Sequence, residues 1–351
     1  MKPKAIALLL AVIVLAGCRN QPIKTPAPTA TPTAVATTPA ESAAASPQAS
    51  GGLANNSAIP TLPERYAGTS ADKIALKVYD IKTKETKEMT VEEYLYGVLA
   101  GEMRADWPIE ALKAQAIIAR TFLFDFLGEN KASSVKPEAD ISTDPKESQA
   151  YDATGINDNI KKAVDETRGM VIAYDGKFIK AWFHSASGGK TSDAEEGLNY
   201  KDGNPAYIIS VDSDESQAPA EFENWENSFT LAELKAGLQK ANTKVSSEIT
   251  SVKLGKTGPS GRAVTLKIND QDVSAPDLRV AMDPTKFRST WITELNFDGK
   301  KLTMKGKGFG HGVGMPQWGA YTMANSGKKA DEIIGTYFKG VSVVNLLQGA
   351  K

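Results

Sequence analysis

Short strands and amphipathic helices follow one another along residues 70 to 351, as judged from the spacing of apolar positions. Short or alternating apolar runs indicate strands in the segments KIALKVYD, ETKEMT, SVKLGK, RAVTLKI, ITELNF and KLTMKG. Helical spacing marks the segments TVEEYLYGVLAGEM, PIEALKAQAIIARTFLFDFL, DNIKKAVDETRG, LAELKAGLQKA and DEIIGTYFKG. Because no regular strand–helix repeat connects these elements, the sequence predicts an α+β fold of antiparallel sheets with helices grouped at one side.

Local capping and turn signals define where several of these elements begin. Thr90 with Glu93, and Thr230 with Glu233, have the spacing of a capping box, which places the start of a helix after each threonine. The Asp-Gly pair at positions 175–176 lies between two apolar runs and predicts a β-hairpin. The predicted boundaries are therefore sharpest at these positions.

One acidic residue interrupts the apolar stripe of the first helix. Glu102 follows Val98 by four positions and Leu95 by seven, so it projects from the face that the apolar residues occupy. It also lies at the C-terminal end of the helix, where the partial negative charge disfavours a carboxylate. Burial and the helix end both raise the pKa of this carboxyl group. A carboxylic acid that stays protonated near neutral pH is what a general acid for glycosidic cleavage requires.

Two structural explanations for Glu102 compete with a catalytic one. A nearby cation, Arg104 or Arg120, can neutralise the carboxylate, or a frayed last helical turn can expose it to water. The position of the residue within the helix leaves these alternatives open.

The first 18 residues have the composition of an export signal. Lys2 and Lys4 precede a short apolar run, and the segment ends in Leu-Ala-Gly-Cys. This ending resembles a bacterial lipobox, in which cleavage falls before the cysteine and the new N-terminus is lipidated. Cys18 is the single cysteine of the chain, so it cannot form a disulfide within the chain, and lipidation is its obvious use. We expect an exported lipoprotein anchored to the outer face of the bacterial cytoplasmic membrane; the alternative is an ordinary signal peptide with an incidental cysteine.

Residues 19–69 differ sharply in composition from the rest of the chain. They are rich in Pro, Ala, Thr and Ser, with little charge and no apolar periodicity, which predicts a disordered tether before a folded domain at residues 70–351. Across the chain, 41 Lys and Arg balance 42 Asp and Glu. This balance provides no basic field that would indicate nucleic acid as a partner.

Both histidines lie in segments that are rich in small residues. His184 belongs to FHSASGGKT, and His311 lies within GKGFGHGVGMPQWGAYTMA, where glycine occupies every second position from 306 to 314. Such a run predicts a loop whose backbone closely approaches another group, followed by a helix from about Met315. That group is either a ligand or another part of the protein that crosses beneath the core.

Three segments together resemble the SpoIID/LytB family, the stage II sporulation protein D group of peptidoglycan-cleaving proteins. They are EYLYGVLAGEMRADWPIEALKAQAIIARTF, FHSASGGKTSD and GFGHGVGMPQWGAYTMA, and the segments ESQAY, AVDETRGMVIAYDGKFIKAWF and PAYIISVDSDES occur in the expected order. The resemblance extends from about Val78 to Leu347. It implies a catalytic domain with lytic transglycosylase activity on peptidoglycan glycan strands, chiefly strands whose peptides an amidase has removed. The acid of the family's GEM motif is catalytic, and that position is Glu102 here.

The implied reaction needs a single carboxyl group, which agrees with the interpretation of Glu102. The acid protonates the leaving glycosidic oxygen and then deprotonates the sugar's own 6-hydroxyl, which attacks the anomeric carbon and leaves a 1,6-anhydro end. A hydrolase with paired carboxylates would need a second acid. Asp106, Glu110 and Asp125 lie nearby in sequence, but their spacing nominates none of them, and each is expected on a solvated helix surface.

The motif residues other than Glu102 are assigned to a substrate groove. Gln115, Arg120 and Thr121 lie on or beside the second helix, where they would orient the acid or bind a sugar's acetamido and hydroxyl groups. Arg120 alternatively pairs with a buried carboxylate. The loop edge and the opposite wall would be formed by Ser185, Ser187, Gly188, Gly189, His311, Gln317 and Trp318. For Trp318, stacking on a sugar face competes with packing in the core.

Neither a metal nor another cofactor is predicted. Some relatives pair the histidine at the His184 position with two downstream cysteines as zinc ligands, whereas this chain has Lys190 and nearby acids, and no cysteine after Cys18. His184 is therefore expected to be a structural or groove histidine. A serine hydrolase built on Ser185 or Ser187 would lack the GxSxG turn, and a zinc amidase would lack ligands.

The main alternative function is non-catalytic. A wall-binding protein that enhances an N-acetylmuramoyl-L-alanine amidase, a role associated with LytB-type modifier proteins, would share the groove and the anchor but would not need Glu102. The expected partners are peptidoglycan glycan strands, the membrane through the lipid anchor, and a cell-wall amidase.

Overall fold

A computed structural model describes residues 53, 57–129, 132–246 and 248–349 of the 351-residue chain. The predicted signal peptide, Cys18 and the tether up to residue 52 lie outside these residues, so what was predicted for them stays a prediction. Residues 57–69, which the sequence places in the tether, have defined positions. They include a 3-10 turn at Glu64–Tyr66, and the Ser57 N–H donates to Ser342 Oγ at 3.3 Å. The described fold thus begins before residue 70.

Helices and small sheets are intermixed along the described chain. The α-helices are α1 (Val91–Glu102), α2 (Ile109–Glu129), α3 (Asp158–Glu166), α4 (Ala194–Leu198), α5 (Ala220–Glu223), α6 (Leu231–Lys240), α7 (Ala275–Ala281), α8 (Gln317–Asn325) and α9 (Ala330–Tyr337). The strands are β1 (Ala75–Tyr79), β2 (Thr86–Thr90), β3 (Ile141–Ser142), β4 (Met170–Tyr174), β5 (Lys177–Phe178), β6 (Phe183–His184), β7 (Trp225–Thr230), β8 (Val252–Leu254), β9 (Thr265–Ile268), β10 (Gln271–Ser274), β11 (Ile292–Phe297), β12 (Lys301–Gly306), β13 (Met315–Pro316) and β14 (Ser342–Asn345). The predicted α+β class is confirmed.

The sheets are small and mostly antiparallel. Their strand orders are β2-β1-β3, β14-β4-β5, β10-β9-β8, β11-β12-β7 and β13-β6. The pairs β1 with β3 and β6 with β13 are parallel, which the sequence did not predict. Both of these pairs are only two residues long, so they leave no periodicity for a sequence pattern to reveal.

The capping and turn signals are confirmed where they were predicted. The Glu93 carboxylate accepts the Thr90 N–H at 2.7 Å while Thr90 Oγ1 accepts the Glu93 N–H, which starts α1. Thr230 and Glu233 form the same reciprocal pair at the start of α6. The residues at 175–176 have φ values of 48° and 70°, as a type I′ turn between β4 and β5 requires.

The larger hydrophobic core has α2 at its centre. This helix packs against α1, α3, α8, α9 and strand β4. Its buried residues include Leu112, Ile118 and Leu123, and alanines between them allow the neighbouring elements to approach closely. The core therefore brings the first helices of the fold together with the last ones.

A second core is formed by the buried apolar residues between Trp225 and Met304. It lies between the sheets β10-β9-β8 and β11-β12-β7, with α6 and α7 packed against each other beside it. The sequence pattern does not reveal β7, because only Trp225 and Phe229 of WENSFT are apolar and buried. It also does not reveal α7, which is short and begins with Ala275-Pro276.

The helix after the glycine-rich loop begins later than predicted. Met315 and Pro316 form β13 beside β6, so α8 starts at Gln317. Within the described residues, none of the helices has the length and apolar character needed to cross a membrane.

Candidate active site around Glu102

Glu102 is the last residue of α1 and lies inside the protein. Its side chain is only 2 % exposed, as its place on the apolar face predicts. The helix ends here because Met103 adopts an extended backbone, while its N–H still donates to the Leu99 carbonyl. The alternative of a frayed turn that exposes the carboxylate is therefore not found.

Two glycines of α1 bring this carboxyl group to a backbone donor. A Cβ at Gly101 would lie 2.7 Å from the Ala150 carbonyl carbon, and one at Gly97 would lie 2.1 Å from the Tyr151 ring. Because glycine has no Cβ, residues 150–151 can approach the helix this closely. The Ala150 N–H consequently donates to Glu102 Oε1 at 2.6 Å.

The environment of Glu102 favours its protonated form. Burial raises the pKa of the carboxyl group to about 8, against the opposing effects of the Ala150 N–H and the Gln317 side chain. Neither of the two candidate cations, Arg104 and Arg120, is among the groups that influence this pKa. Glu102 Oε2 has no hydrogen-bond partner among the described residues. At neutral pH the site thus holds a proton on a carboxyl group with one oxygen left unpaired.

Gln317 connects the acid to the glycine-rich segment. Its Nε2 donates to the backbone carbonyl of Glu102 at 3.2 Å, which joins the start of α8 to the end of α1. Trp318 follows directly, with its ring centroid 4.7 Å from that of Trp107. The sequence-predicted residues Glu102, Gln317 and Trp318 are therefore brought together, although they are more than 200 positions apart in the chain.

The other acids near Glu102 in sequence have partners elsewhere. Asp106 pairs with Arg104 at 2.8 Å. Glu110 pairs with Lys113 at 3.2 Å and accepts the Ala330 N–H at 3.0 Å. Glu110 and Asp125 are not the solvated surface acids that were expected, because each side chain is only 18 % exposed. Burial raises the pKa of Asp125 to about 6, against the effect of Lys180, whose Nζ lies 2.9 Å away.

Arg120 and Thr121 are buried among protein partners. Arg120 binds the Glu92 carboxylate with Nε at 3.1 Å and Nη2 at 2.5 Å, and its Nη1 donates to the Met170 carbonyl. Thr121 Oγ1 accepts the Ile172 N–H at 2.8 Å. Of the two roles considered for Arg120, the structure places it in the buried ion pair, with no exposed surface to contact a sugar.

Gln115 is fully buried in α2, and both polar atoms of its amide lack a partner in the described protein. Its neighbour one turn along, Ala119, accepts a hydrogen bond from Gln149 at 3.4 Å, and Gln149 directly precedes Ala150. The groove assignment of Gln115 stays a prediction.

The serine-glycine loop after β6 is held by a buried acid. The Glu215 carboxylate accepts the Ser187 N–H at 2.9 Å, the Gly188 N–H at 3.0 Å and the Ser187 hydroxyl. The Ser185 carbonyl accepts the Trp318 N–H at 3.0 Å. Of the two glycines in this loop, Gly189 has open space where a side chain would lie and Gly188 does not. Of the predicted loop edge, Ser187 and Gly188 therefore direct their polar groups inward.

The glycine-rich segment crosses the same loop at very short range. A Cβ at Gly308 would lie 2.8 Å from the Ala186 carbonyl oxygen, and one at Gly312 would lie 2.4 Å from Arg262 Nε. Arg262 is fully buried and donates to the Ser187 and Lys190 carbonyls at 2.6 and 2.9 Å. The glycines thus serve a tight crossing of protein on protein, one of the two alternatives that the sequence left open.

The two histidines lie together beneath this crossing. Their ring centroids are 5.4 Å apart; His184 Nδ1 donates to the Val313 carbonyl at 3.1 Å, and His311 Nδ1 accepts the Val313 N–H at 3.0 Å. Burial lowers the pKa of both imidazoles, to about 3 for His311, and Arg262 acts in the same direction. Both rings are therefore neutral, and the backbone of Val313 contacts both of them.

Metal-ligating side chains do not gather in groups of three or more within the described ranges. The absence of a metal stays a prediction from the sequence.

Several residues of the site give no signal in the sequence. Ala150 lies within the quoted ESQAY segment, but a backbone donor leaves no signal in residue type. Glu215 and Arg262 are charged residues in polar stretches, where nothing in the local pattern distinguishes them from surface residues. Each gains its role from contacts with residues that are distant in sequence.

Two family models match this chain. One, described as stage II sporulation protein, matches residues 79–174, which include α1, α2 and the segment carrying Ala150. The other is described as a domain of unknown function (DUF8618) and matches residues 190–314, which include the second core.

Relatives that match most of the chain extend the similarity beyond these segments. An uncharacterised protein of Brachyspira hyodysenteriae is 36 % identical over 264 residues, covering 74 % of this chain and 67 % of the relative. The stage II sporulation protein D of Bacillus subtilis is 30 % identical over 304 residues, covering 83 % of this chain and 85 % of the relative. With the sequence motifs assembled around one buried acid and the match extending over most of both chains, the protein belongs to the stage II sporulation protein D (SpoIID) family.

Proposed function

We propose that this protein is a peptidoglycan lytic transglycosylase in which Glu102 acts first as general acid and then as general base. The observation that carries the proposal is the state of this carboxyl group: it is buried, its pKa is raised to about 8, Ala150 holds one oxygen, and the other has no partner in the described protein. The family resemblance supplies the substrate class, peptidoglycan glycan strands.

The proposed reaction uses the one acid twice. The protonated carboxyl transfers its proton to the glycosidic oxygen as the bond from C1 to that oxygen breaks. The resulting carboxylate then takes the proton of the same sugar's 6-hydroxyl, and O6 bonds to C1 to form the 1,6-anhydro ring. The acid is restored and no water is consumed. Burial, and not a neighbouring carboxylate, raises the pKa of Glu102, which agrees with a one-acid mechanism.

The direct test is the product formed from glycan strands. The chain is incubated with intact and with peptide-stripped strands, and the products are identified by mass spectrometry. We expect anhydro-ended sugars, and a loss of at least about 100-fold in Glu102→Gln, because removing a general acid costs this much. Glu102→Gln should fold normally, since the glutamine oxygen can still accept the Ala150 N–H. Undiminished turnover by a folded Glu102→Gln would refute the assignment.

An enhancer of a cell-wall amidase is the second candidate. A Bacillus subtilis protein named amidase enhancer is 27 % identical over 295 residues, covering 72 % of this chain and 40 % of that protein. In this role the chain would bind glycan and stimulate an N-acetylmuramoyl-L-alanine amidase without cleaving glycan. An assay of amidase turnover with and without the chain separates the two: stimulation that survives Glu102→Gln, with no anhydro product from either form, favours the enhancer.

We also propose that the protein is exported and lipidated at Cys18, which would hold it at the outer face of the cytoplasmic membrane. The support is the Leu-Ala-Gly-Cys segment at residues 15–18 and the presence of no other cysteine in the chain. Expression of Cys18→Ala in a bacterial host, followed by membrane fractionation, tests the anchor. We expect the variant to leave the membrane fraction, whereas retention equal to that of the unmodified chain contradicts lipidation.

A further inference from the structure

A buried amide side chain, Gln317, lies beside the buried acid. Gln317 is fully buried, and its Nε2 donates to the backbone carbonyl of Glu102 at 3.2 Å. The same amide acts on the carboxyl group of Glu102, whose pKa it lowers. Because Gln317 has no exposed surface to offer a sugar, its position indicates a role toward the acid and not toward the groove.

The acid and the amide each have one buried atom without a partner. Glu102 Oε1 accepts the Ala150 N–H at 2.6 Å, so the proton of the neutral carboxyl group belongs on Oε2. Oε2 makes no hydrogen bond within the described protein, and neither does Gln317 Oε1. A buried hydroxyl without an acceptor and a buried carbonyl without a donor each destabilise the fold. The two unpaired atoms are therefore chemically complementary.

We propose that Gln317 is a positioning residue for Glu102 and changes its hydrogen bond when the acid changes its protonation state. Gln317 Oε1 accepts the Oε2–H group of the neutral acid. After Oε2 has passed its proton to the glycosidic oxygen, Gln317 Nε2 donates to the carboxylate. Rotation about the last side-chain bond serves both states, because this torsion is broad. The inference rests on the proposed function and deepens it.

An amide suits this role because it offers a donor and an acceptor at the same place. A cation would hold the acid ionised, as Arg120 does for Glu92, and would leave no proton for the glycosidic oxygen. An apolar residue would leave the carboxylate without this donor once the proton had gone. Gln317 therefore supports both halves of a reaction that uses one acid twice.

Among the described residues, no charged side chain competes with Gln317 for the acid. Burial, the Ala150 N–H and Gln317 influence the pKa of Glu102. Tyr94 of α1 is a titratable group that Glu102 affects, but burial raises the pKa of its phenol above the ordinary value, so it stays neutral where the acid titrates. A change in the titration of Glu102 can therefore be attributed to the amide.

The test is the pH dependence of glycan cleavage by the full chain. The value of kcat/KM should fall as pH rises through the pKa of the free acid, which must be protonated to react. Gln317→Met removes the donor that lowers this pKa, so we expect the midpoint of the fall to move up by about one pH unit. We also expect kcat to fall at least about tenfold with little change in KM, because the bond to the carboxylate forms only during the reaction.

Two further variants complete this test. Gln317→Glu keeps the shape of the side chain and places a second carboxyl group beside the first, so the pair should hold one proton to a higher pH than Glu102 does alone. Asn227→Leu is the matched control, because Asn227 Nδ2 also donates to a backbone carbonyl, that of Lys286, at 2.9 Å. It should leave the midpoint unchanged. Slower cleavage with an unchanged midpoint in both Gln317 variants would overturn the proposal, because a purely structural role lowers the rate equally at every pH.

Unfolding measurements separate this inference from the proposed reaction. Urea unfolding of Gln317→Met, with and without Glu102→Gln, is followed between about pH 4 and pH 10. The gain in free energy of unfolding from Glu102→Gln should level off about one pH unit higher than it does in the unmodified background. This result supports the pairing even if the chain cleaves no glycan. Levelling off at the same pH in both backgrounds overturns the pairing, even if glycan is cleaved.

Discussion

At the scale of the residue, the two buried acids of α1 differ in their partners. Glu92 meets the Arg120 guanidinium through two hydrogen bonds, so a cation compensates its charge. Glu102 meets only the Ala150 N–H and lies against an amide, Gln317. Because a buried carboxylate without a cation costs more than a neutral one, Glu102 keeps its proton. Helix α1 thus carries one acid in an ion pair and one acid without a cation, and the second is the acid that the proposed function uses.

The raised pKa of Glu102 predicts how its effect on stability depends on pH. Below pH 4.5, its ordinary pKa, the group is protonated in both the folded and unfolded states and contributes no pH dependence. From there to about pH 8 only the unfolded chain releases the proton, so the free energy of unfolding falls as pH rises, by about 1.4 kcal/mol per pH unit. Above pH 8 both states are ionised and the loss is complete.

Glu102→Gln isolates this contribution because it has no proton to release. Urea unfolding of both chains between pH 4 and pH 9 gives the difference in free energy of unfolding. We expect the free energy of unfolding of the variant to rise relative to that of the unmodified chain as pH rises through this window. The difference should level off above about pH 8. Parallel pH profiles would mean that the carboxyl group is not protonated in the folded protein.

At the scale of the element, the position of the acid depends on α1 and on residues 150–151, which pack against Gly97 and Gly101 of this helix. Because these two glycines have no side chains, residues 150–151 can contact the helix directly. That contact supplies the donor that holds Glu102 Oε1. The orientation of the acid therefore depends on how residues 150–151 pack against the two glycines of α1.

Gly101→Ala should separate the donor from the acid. The new Cβ would lie 2.7 Å from the backbone of Ala150, so residues 150–151 must move away. We expect a loss of about 1–3 kcal/mol in the free energy of unfolding, with a loss of glycan cleavage in the variant that remains folded at the assay temperature. Both are measured by urea unfolding and by release of anhydro-ended product.

Gly128→Ala provides the matched control for this prediction. Gly128 also lies within a helix, α2, but the nearest atom to its Cβ would be 4.0 Å away, on Pro63. This substitution should raise the free energy of unfolding by about 0.5–1 kcal/mol, because alanine favours the helix, and it should leave cleavage unchanged. If Gly101→Ala behaves like Gly128→Ala, the close approach of residues 150–151 is not what positions the acid.

At the scale of the whole molecule, buried hydrogen bonds from charged side chains join the segment of the second core to the loops near the acid. Arg262 donates to the Ser187 and Lys190 carbonyls, while Glu196 accepts N–H groups from Ser260 and Arg262. The chain segment that contains the second core therefore braces the crossing of the serine-glycine loop with the glycine-rich segment. Gln317, which contacts Glu102, begins the helix that follows this crossing.

Arg262→Met should loosen that brace. It leaves the Ser187 and Lys190 carbonyls without their charged donor, which costs about 3 kcal/mol or more in the free energy of unfolding. Amide hydrogen exchange should accelerate at residues 185–192 and 308–314. Arg279→Met is the comparison for residues 185–192 alone, because the Arg279 side chain donates to the Arg288 carbonyl, which also accepts the N–H of Gly310 in the glycine-rich segment. Equal exchange at residues 185–192 in the two variants would contradict the bracing role.

Much of the fold was predictable because it depends on local interactions. The capping boxes at Thr90 and Thr230 and the turn at 175–176 involve atoms within a few residues of one another, so their residue types are sufficient. The strand β7, the helix α7 and the parallel pairs were missed. Their stability comes from packing in the second core or from pairing with distant segments, and neither leaves a periodic pattern.

The sequence by itself determined the position of one acid on an apolar helix face, the class of fold and, through its motifs, the resemblance to a family. Only the tertiary structure decided what surrounds that acid: a backbone donor from Ala150, an amide from Gln317, and no cation. It also placed Arg120 in an ion pair and Ser187 against Glu215. The physical reason is that the pKa of a carboxyl group depends on its neighbours in space, and here those neighbours come from segments far apart along the chain.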